Sequence, residues 1–219
     1  AEPVLQRLAD MPTPRAAHSA TPLRDGRVLF AGGCVADGCE EGIAGDAWLF
    51  DPSDQRFHAT GALQQARVGH RAVALADGSV LLFGGWTQDG ATRSVERFDP
   101  KTGTFSRHGQ LVYARDGFTA TPLADGSILI VGGYAGAMQR LASVEIYDPR
   151  KRRSQAITPM SLPRMAHTAT RLADGRVLIA GGTVVRNRPV ATLLLYDPGT
   201  RTFRDAGVLA KARHKHAAV

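Results

Sequence analysis

One stretch of 16 residues recurs four times along the chain and begins a fifth time. It reads HTATRLADGRVLIAGG at residues 167–182. The related copies are HSATPLRDGRVLFAGG (18–33), HRAVALADGSVLLFGG (70–85), FTATPLADGSILIVGG (118–133) and the opening HAAV (216–219). Successive glycine pairs are 52, 48 and 49 residues apart. A period of this length is typical of supersecondary units that bury their faces against one another.

Each unit contains signals for four short antiparallel strands. An Asp-Gly pair separates the first two strands, and we expect it to form a two-residue hairpin turn. The third strand ends in Asp-Pro, where proline begins a turn. An aromatic residue six positions after that Asp opens the fourth strand in three units and is replaced by Ser154 in the other. Pro22 and Pro122 fall in the first strand, which we therefore place at a sheet edge. The sequence predicts an all-β propeller of four-stranded antiparallel blades.

The aliphatic run before Gly-Gly, the Tyr/Phe-Asp-Pro triplet and the later aromatic residue resemble the kelch repeat, in a bacterial-type tandem arrangement. The resemblance implies that the first strand lines a central channel in a ring of five to seven blades. We expect units at about 15–63, 64–111, 112–160 and 161–209, with partial blades at 1–14 and 210–219. Joining the two ends gives only an incomplete fifth blade. We therefore expect a segment of a larger ring, with self-association through open blade faces as an alternative way to cover them.

In such a blade the glycine loops and the blade-to-blade joints share one rim, which we call the loop rim. The Asp-Gly and Asp-Pro turns share the opposite one, the turn rim. The loop rim differs from unit to unit, and binding specificity usually lies in loops held by a rigid scaffold. An arginine recurs at every joint. The candidate ligand-binding residues are the joint arginines Arg15, Arg67, Arg115, Arg164 and Arg213, and the loop residues Trp86, Tyr134, Arg93, Arg140 and Arg186.

Two interpretations of the joint arginines are open. Guanidinium groups that converge on a channel mouth would bind carboxylates or phosphates through paired hydrogen bonds. In kelch adaptor domains, arginines at similar joints read acidic peptides, and the resemblance implies the same role here. Alternatively, each arginine pairs with backbone carbonyls or an acidic residue of the next blade, and its repetition reflects blade packing.

The repeated histidines His18, His70, His167 and His216 raise the question of a metal ring. A metal ion needs three or four ligands within ~2.0–2.3 Å, whereas equivalent residues of separate blades lie much farther apart. We therefore expect packing or a hydrogen bond to a neighbouring blade, and no metal or cofactor. The acidic residues Asp46, Glu96 and Glu145 recur near the third strand, and we expect them at the surface or in turns.

The two cysteines, Cys34 and Cys39, lie in the longest glycine loop. In an exported protein they would form a local disulfide, and in a reducing compartment they would be loop thiols. No apolar run approaches the ~18 residues that a membrane-spanning helix requires.

The formal charge of +7 does not indicate nucleic-acid binding, because the basic residues are spread over all units without interleaved aromatic residues. No nucleophile, base and orienting residue occur together in a motif. We expect a secreted or periplasmic, non-enzymatic scaffold whose arginine-rich rim binds an anionic protein or glycan. The competing hypothesis is a kelch-fold enzyme resembling the copper-radical oxidases or the sialate mutarotases. Tyr147 and Tyr196 occupy the structural Tyr-Asp-Pro position and do not support a copper site.

Overall fold

A computed structural model describes residues 8–35, 39, 42–136 and 139–218. It contains four antiparallel four-stranded blades, each built from strands in chain order. Blade 1 comprises β1 (Ser19–Pro22), β2 (Val28–Ala31), β3 (Ala47–Asp51) and β4 (Arg56–Ala59); blade 2 comprises β5 (Arg71–Ala74), β6 (Val80–Phe83), β9 (Ser94–Asp99) and β10 (Thr104–Gln110). Blade 3 comprises β11 (Thr119–Pro122), β12 (Ile128–Val131), β13 (Val144–Asp148) and β14 (Arg153–Ile157); blade 4 comprises β15 (Thr168–Arg171), β16 (Val177–Ala180), β17 (Thr192–Asp197) and β18 (Thr202–Val208). A small hairpin, β7 (Trp86–Thr87) and β8 (Gly90–Ala91), extends the loop of blade 2.

The first strand of each blade lies innermost, at an edge of its sheet, and neighbouring first strands contact one another in the order β1, β5, β11 and β15. The predicted edge position of Pro22 and Pro122 is therefore confirmed. The predicted propeller of four-stranded antiparallel blades is confirmed as well.

The Asp-Gly turns differ from the prediction. Glycine alone adopts a positive φ (+88° at Gly26), and the Gly26 N–H donates to the carbonyl of Leu23 at 3.2 Å. The Leu23 N–H in turn donates to the carbonyl of Arg27 at 2.8 Å, so the loop has three residues. The side chain of Asp25 accepts from the Arg27 N–H, which holds the aspartate in an ordinary conformation. The prediction of a two-residue turn was wrong because this side-chain bond favours the longer loop.

The continuous aliphatic runs of the second strands are explained by burial on both faces. On β6, Val80 and Leu82 pack against blade 1, whereas Leu81 and Phe83 pack against blade 3. The pattern follows from alternation of side chains along a strand. A third apolar cluster fills the interface of blades 3 and 4 around Ile179. The cores of this protein therefore lie between blades.

Blades 2 and 3 are joined more closely than the other pairs. Strand β10 has a bulge at His108 and pairs in parallel with β14 through Gln110 and Arg153. The bulge brings Nδ1 of His108 to 2.7 Å from the hydroxyl of Tyr147. Ser154 lies directly across from Tyr147, where other blades carry an aromatic partner. In blade 3, His108 of the neighbouring blade 2 thus contacts Tyr147, whereas Ser154 replaces the aromatic partner found in the other blades.

The predicted partial blades at 1–14 and 210–219 are described only in part. Residues 1–7 lie outside the described residues, and 8–14 form no strand. After blade 4, the carbonyl of Arg213 accepts from the Gly182 N–H at 2.9 Å, as at the earlier joints. The N–H of Lys215 donates to the carbonyl of Ala166 at 2.9 Å. The beginning of the fifth repeat therefore packs on blade 4.

Candidate functional site

The arginine at each joint ties two blades together. The carbonyl of Arg67 accepts from the N–H of Gly33 in blade 1 at 2.9 Å. Its guanidinium extends into blade 2, where Nη1 donates to the carbonyls of Gly84 at 3.0 Å and Ser94 at 3.2 Å. Arg115 makes the same contacts between blades 2 and 3. Both arginines are completely buried, so a ligand in solvent cannot reach them. The structure supports the packing interpretation for these residues.

The glutamates of the third strands complete these joints. Oε1 of Glu96 accepts from Nη2 of Arg67 at 2.5 Å and from the N–H of Gln65 at 3.1 Å. Its other oxygen accepts from the N–H of Gln64 at 2.7 Å. Glu145 holds the joint of blade 3 in the same way. The expectation that these acids lie at the surface was wrong, because the buried guanidinium requires a counter-charge and the joint N–H groups require an acceptor.

Blade 4 lacks this carboxylate, because Leu194 stands at the corresponding position. Arg164 still donates to Gly181 and Thr192, yet its Nε is buried without a hydrogen-bond partner among the described residues. Burial lowers the pKa of Arg164, and no acidic neighbour opposes the shift. Arg164 therefore carries a buried charge without the glutamate that pairs with the equivalent arginine in blades 2 and 3.

The outer two joint arginines are arranged differently. Arg15 binds Asp46 through two parallel hydrogen bonds, of 3.0 and 2.7 Å, and its side chain is buried. Hydrogen bonding from Arg15 lowers the pKa of Asp46. Asp46 therefore serves as the acidic partner of this joint arginine. Arg213 remains exposed.

The histidines form a ladder between the innermost strands. Nε2 of His70 lies 2.8 Å from Oγ of Ser19, and His167 and His216 contact Thr119 and Thr168 in the same way. Burial, aided by the charge of Arg67, lowers the pKa of His70 to about 3. The predicted hydrogen bond to a neighbouring blade is confirmed. Within the described ranges, no group of three or more His, Cys, Asp or Glu could hold a metal ion.

Just beyond each glycine pair, three chain segments meet in a row of bridged residues that faces the loop rim, and we call this the rim row. The rows are Ala16, Cys34 and Ile43 in blade 1; Val68, Trp86 and Ala91 in blade 2; Asp116, Tyr134 and Arg140 in blade 3; and Met165, Thr183 and Pro189 in blade 4. Blade 3 alone among these carries charged residues in its rim row.

The predicted aromatic residues meet across blades 2 and 3. The rings of Trp86 and Tyr134 are stacked, with centroids 5.9 Å apart and planes inclined by 17°. Both residues are half-buried. Arg140 bridges to Tyr134, and its Nη2 donates to Oδ1 of Asn187 in the loop of blade 4. An aromatic surface and a guanidinium are therefore held together on the loop rim.

The remaining candidates border this surface or lie apart from it. Arg93 and Arg186 are exposed on the loops of blades 2 and 4. Cys34 and Cys39 form a disulfide in the loop of blade 1, with Cα atoms 5.2 Å apart. Of the ten candidate binding residues, the structure brings together Trp86, Tyr134 and Arg140.

The sequence analysis did not identify two charged residues at the inner end of the joint between blades 2 and 3. Arg71 is exposed on β5, and its Nε donates to the carbonyl of Phe118 at 2.7 Å. Asp116 is half-buried, and burial raises its pKa to about 6 although Arg71 lowers it. A comparison of equivalent positions would have found both. Asp116 corresponds to Ala16, Val68 and Met165, and Arg71 corresponds to Ser19, Thr119 and Thr168.

Known proteins share both the repeat and the fold. The kelch motif matches residues 67–107 and 118–161. tRNA wybutosine-synthesizing protein 4 of Saccharomyces cerevisiae is 32% identical over 81 residues, which cover 36% of this chain and 11% of that protein. The chain thus spans only a small part of that relative's length. The structure of YjhT superposes on 95% of this chain and 75% of its own, with a TM-score of 0.82 and 17% identity. At that identity, the likeness concerns the fold.

No helix among the described residues is long and apolar enough to cross a membrane. The larger ring and the unit boundaries stay predictions.

The four sequence repeats, the four four-stranded blades and the two matched kelch motifs support one conclusion. The chain is a β-propeller built from repeats that match the kelch motif in blades 2 and 3.

Proposed function

We propose that this propeller is a non-enzymatic interaction scaffold whose loop rim over blades 2 and 3 binds an acidic segment of a partner protein. The observation that carries the proposal is the stacked pair of Trp86 and Tyr134 beside Arg140. Half-buried aromatic residues and arginine are the side chains that most often anchor protein interfaces. The rim rows of blades 2 and 3 hold these three residues on paired backbone, so little ordering is required on binding.

The charge of the surrounding rim favours an acidic partner. Arg93 and Arg186 are exposed on the loops of blades 2 and 4, on the same rim as the aromatic pair. Arg140 is half-buried, and a guanidinium held in this way retains N–H groups for a carboxylate. The joint arginines contribute nothing to this surface, since Arg67, Arg115 and Arg164 are buried. The binding surface is therefore smaller than the arginine count suggests.

Trp86 provides the readout for a direct test. The chain has two tryptophans, so Trp48→Phe leaves Trp86 as the single indole fluorophore. The probe is a peptide of alternating Glu and Gly, with the same peptide carrying Gln as its control. We expect a saturable change in Trp86 emission with the Glu peptide that weakens as salt rises. Arg140→Gln should weaken binding, whereas Arg176→Gln on the turn rim should not.

A third probe distinguishes protein from glycan. An oligogalacturonate of similar charge supplies carboxylates on a sugar backbone. A response to the oligosaccharide without a response to the Glu peptide would contradict the proposed protein partner. Equal responses to the Glu and Gln peptides would contradict the role of charge.

We also infer that the protein works in an oxidising compartment. The support is the disulfide between Cys34 and Cys39, which closes the long loop of blade 1. Alkylation of the protein isolated from its native source, without reductant, should leave both cysteines unmodified. Full alkylation before reduction would contradict this inference.

A further inference from the structure

Three residues that differ from their equivalents in the other repeats lie at the inner end of the joint between blades 2 and 3. At the other joints, a histidine bonds to a serine or threonine of the preceding blade. Here Phe118 replaces the histidine, and Arg71 replaces the hydroxyl residue. Asp116 takes a position that is apolar in the sister blades. Since the other blades pack without these three residues, the fold does not require them.

The two charged groups lie near one another without forming an ion pair. Asp116 and Arg71 influence each other's charge, yet in the part of the chain that the structure describes they form no ion pair with an N···O distance of 4.0 Å or less. Among the described residues, the one hydrogen bond of the Arg71 side chain runs from its Nε to the carbonyl of Phe118. Oδ1 of Asp116 is buried and receives no hydrogen bond from the same described residues. A donor and an acceptor are thus held near one another at the inner end of this joint, each with bonding capacity left.

Gly69 keeps the carboxylate of Asp116 open. A Cβ on Gly69 would lie 3.4 Å from Oδ2 of Asp116. The backbone alone does not demand glycine, because Ala17 and Ala166 adopt the same left-handed conformation at the equivalent positions. At this joint the missing side chain leaves space beside the acid.

These groups select a ligand by chemistry. Asp116 repels an anion and Arg71 repels a cation, so the pair disfavours ions of a single sign, whereas a neutral molecule with adjacent donor and acceptor groups can bond to both side chains. Each hydroxyl of a polyol can donate to the carboxylate and accept from the guanidinium. The Tyr134 ring, bridged through its backbone to Asp116, provides an apolar surface for a sugar ring. We propose that Arg71 and Asp116 form a binding site for a small hydroxylated ligand, a monosaccharide or another polyol.

This site shares Tyr134 with the proposed protein-binding surface but uses different polar groups and a different class of ligand, so the test of each proposal can fail without the other. The test is saturation-transfer NMR on the whole chain with D-glucose and D-sorbitol as probes. Tetrahydropyran, a sugar ring without hydroxyls, and acetamide serve as comparison compounds. We expect saturable transfer to a hydroxylated probe and none to tetrahydropyran.

Two variants carry residues that sister blades already use. Asp116→Ala copies Ala16, and Arg71→Ser copies Ser19, so both should fold. Each should weaken binding about tenfold or more, as expected when a charge-assisted hydrogen bond is lost. Gly69→Ala should also weaken it, whereas Asp125→Ala on the turn rim should not. No saturable binding of either polyol up to about 100 mM, or unchanged binding in the double variant, would overturn the proposal. Stronger binding of acetamide than of both polyols would overturn the ligand class.

Discussion

Nη2 of Arg115 donates to Oε1 of Glu145 at 2.5 Å, and both side chains are completely shielded from solvent. Glu145→Leu would leave the guanidinium buried without its counter-charge and two joint N–H groups without an acceptor. We expect the free energy of unfolding to fall by about 3–5 kcal/mol. Urea denaturation measures this loss. Asp174→Asn, at an exposed ion pair with Arg176, is the control and should change stability by less than about 0.5 kcal/mol.

The reverse substitution should stabilise blade 4. Leu194→Glu would place a carboxylate beside Arg164, where the sister blades have Glu96 and Glu145. The gain is expected to be about 1–2 kcal/mol, because the new bonds join a charge that is already buried. A lower urea midpoint than that of the unmodified protein would show that blade 4 has adapted its packing to leucine.

Acid should destabilise the protein through the buried histidines. The pKa of His70 is about 3 in the folded state, below the value of 6.5 for an exposed histidine. The unfolded chain therefore takes up a proton that the folded chain refuses, and stability falls as pH drops from 6.5 towards 3. Burial also lowers the pKa of His167 to about 3, so this residue contributes to the same loss of stability in acid. Each contributes a slope of at most about 1.4 kcal/mol per pH unit.

His70→Phe tests this pH dependence with a residue that the chain itself uses at Phe118. The variant should lose stability more slowly than the unmodified protein between pH 6.5 and 4.5. Urea midpoints measured at several pH values give both slopes. Parallel curves for the two proteins would contradict the assignment.

Two equivalent tyrosines should respond differently to loss of their hydroxyls. The hydroxyl of Tyr147 is bonded to His108, whereas that of Tyr196 is buried without a partner. Tyr147→Phe should therefore cost about 1 kcal/mol, and Tyr196→Phe should be neutral or stabilising. Thermal unfolding of the two variants in parallel measures the difference. A larger loss for Tyr196→Phe would mean that its hydroxyl is satisfied in solution.

Much of the fold could be predicted because repetition reports structural requirements. The glycine pairs, the aliphatic runs and the Asp-Pro turns recur in one frame, and they correspond to strands and turns of the four blades. The turn type could not be predicted, since Asp-Gly suits two hairpin geometries. The hydrogen bond that the side chain of Asp25 accepts from the Arg27 N–H favours the three-residue loop.

The candidate site was harder to predict, because repetition drew attention to the wrong arginines. Arg67 and Arg115 recur because each connects two blades through buried hydrogen bonds. The glutamates that pair with them lie about 30 residues away in the chain. The informative residues are those that break the repeat. Arg71 and Asp116 do so, but their proximity depends on the packing of adjacent blades.

The central claim is that the loop rim over blades 2 and 3 is the binding surface of this propeller. Amide chemical shifts of the labelled protein, recorded while the Glu-Gly peptide is added, test it most directly. We expect the shifts to cluster at Trp86, Tyr134 and Arg140. Shifts confined to the Asp-Gly and Asp-Pro turns of the opposite rim would contradict the claim.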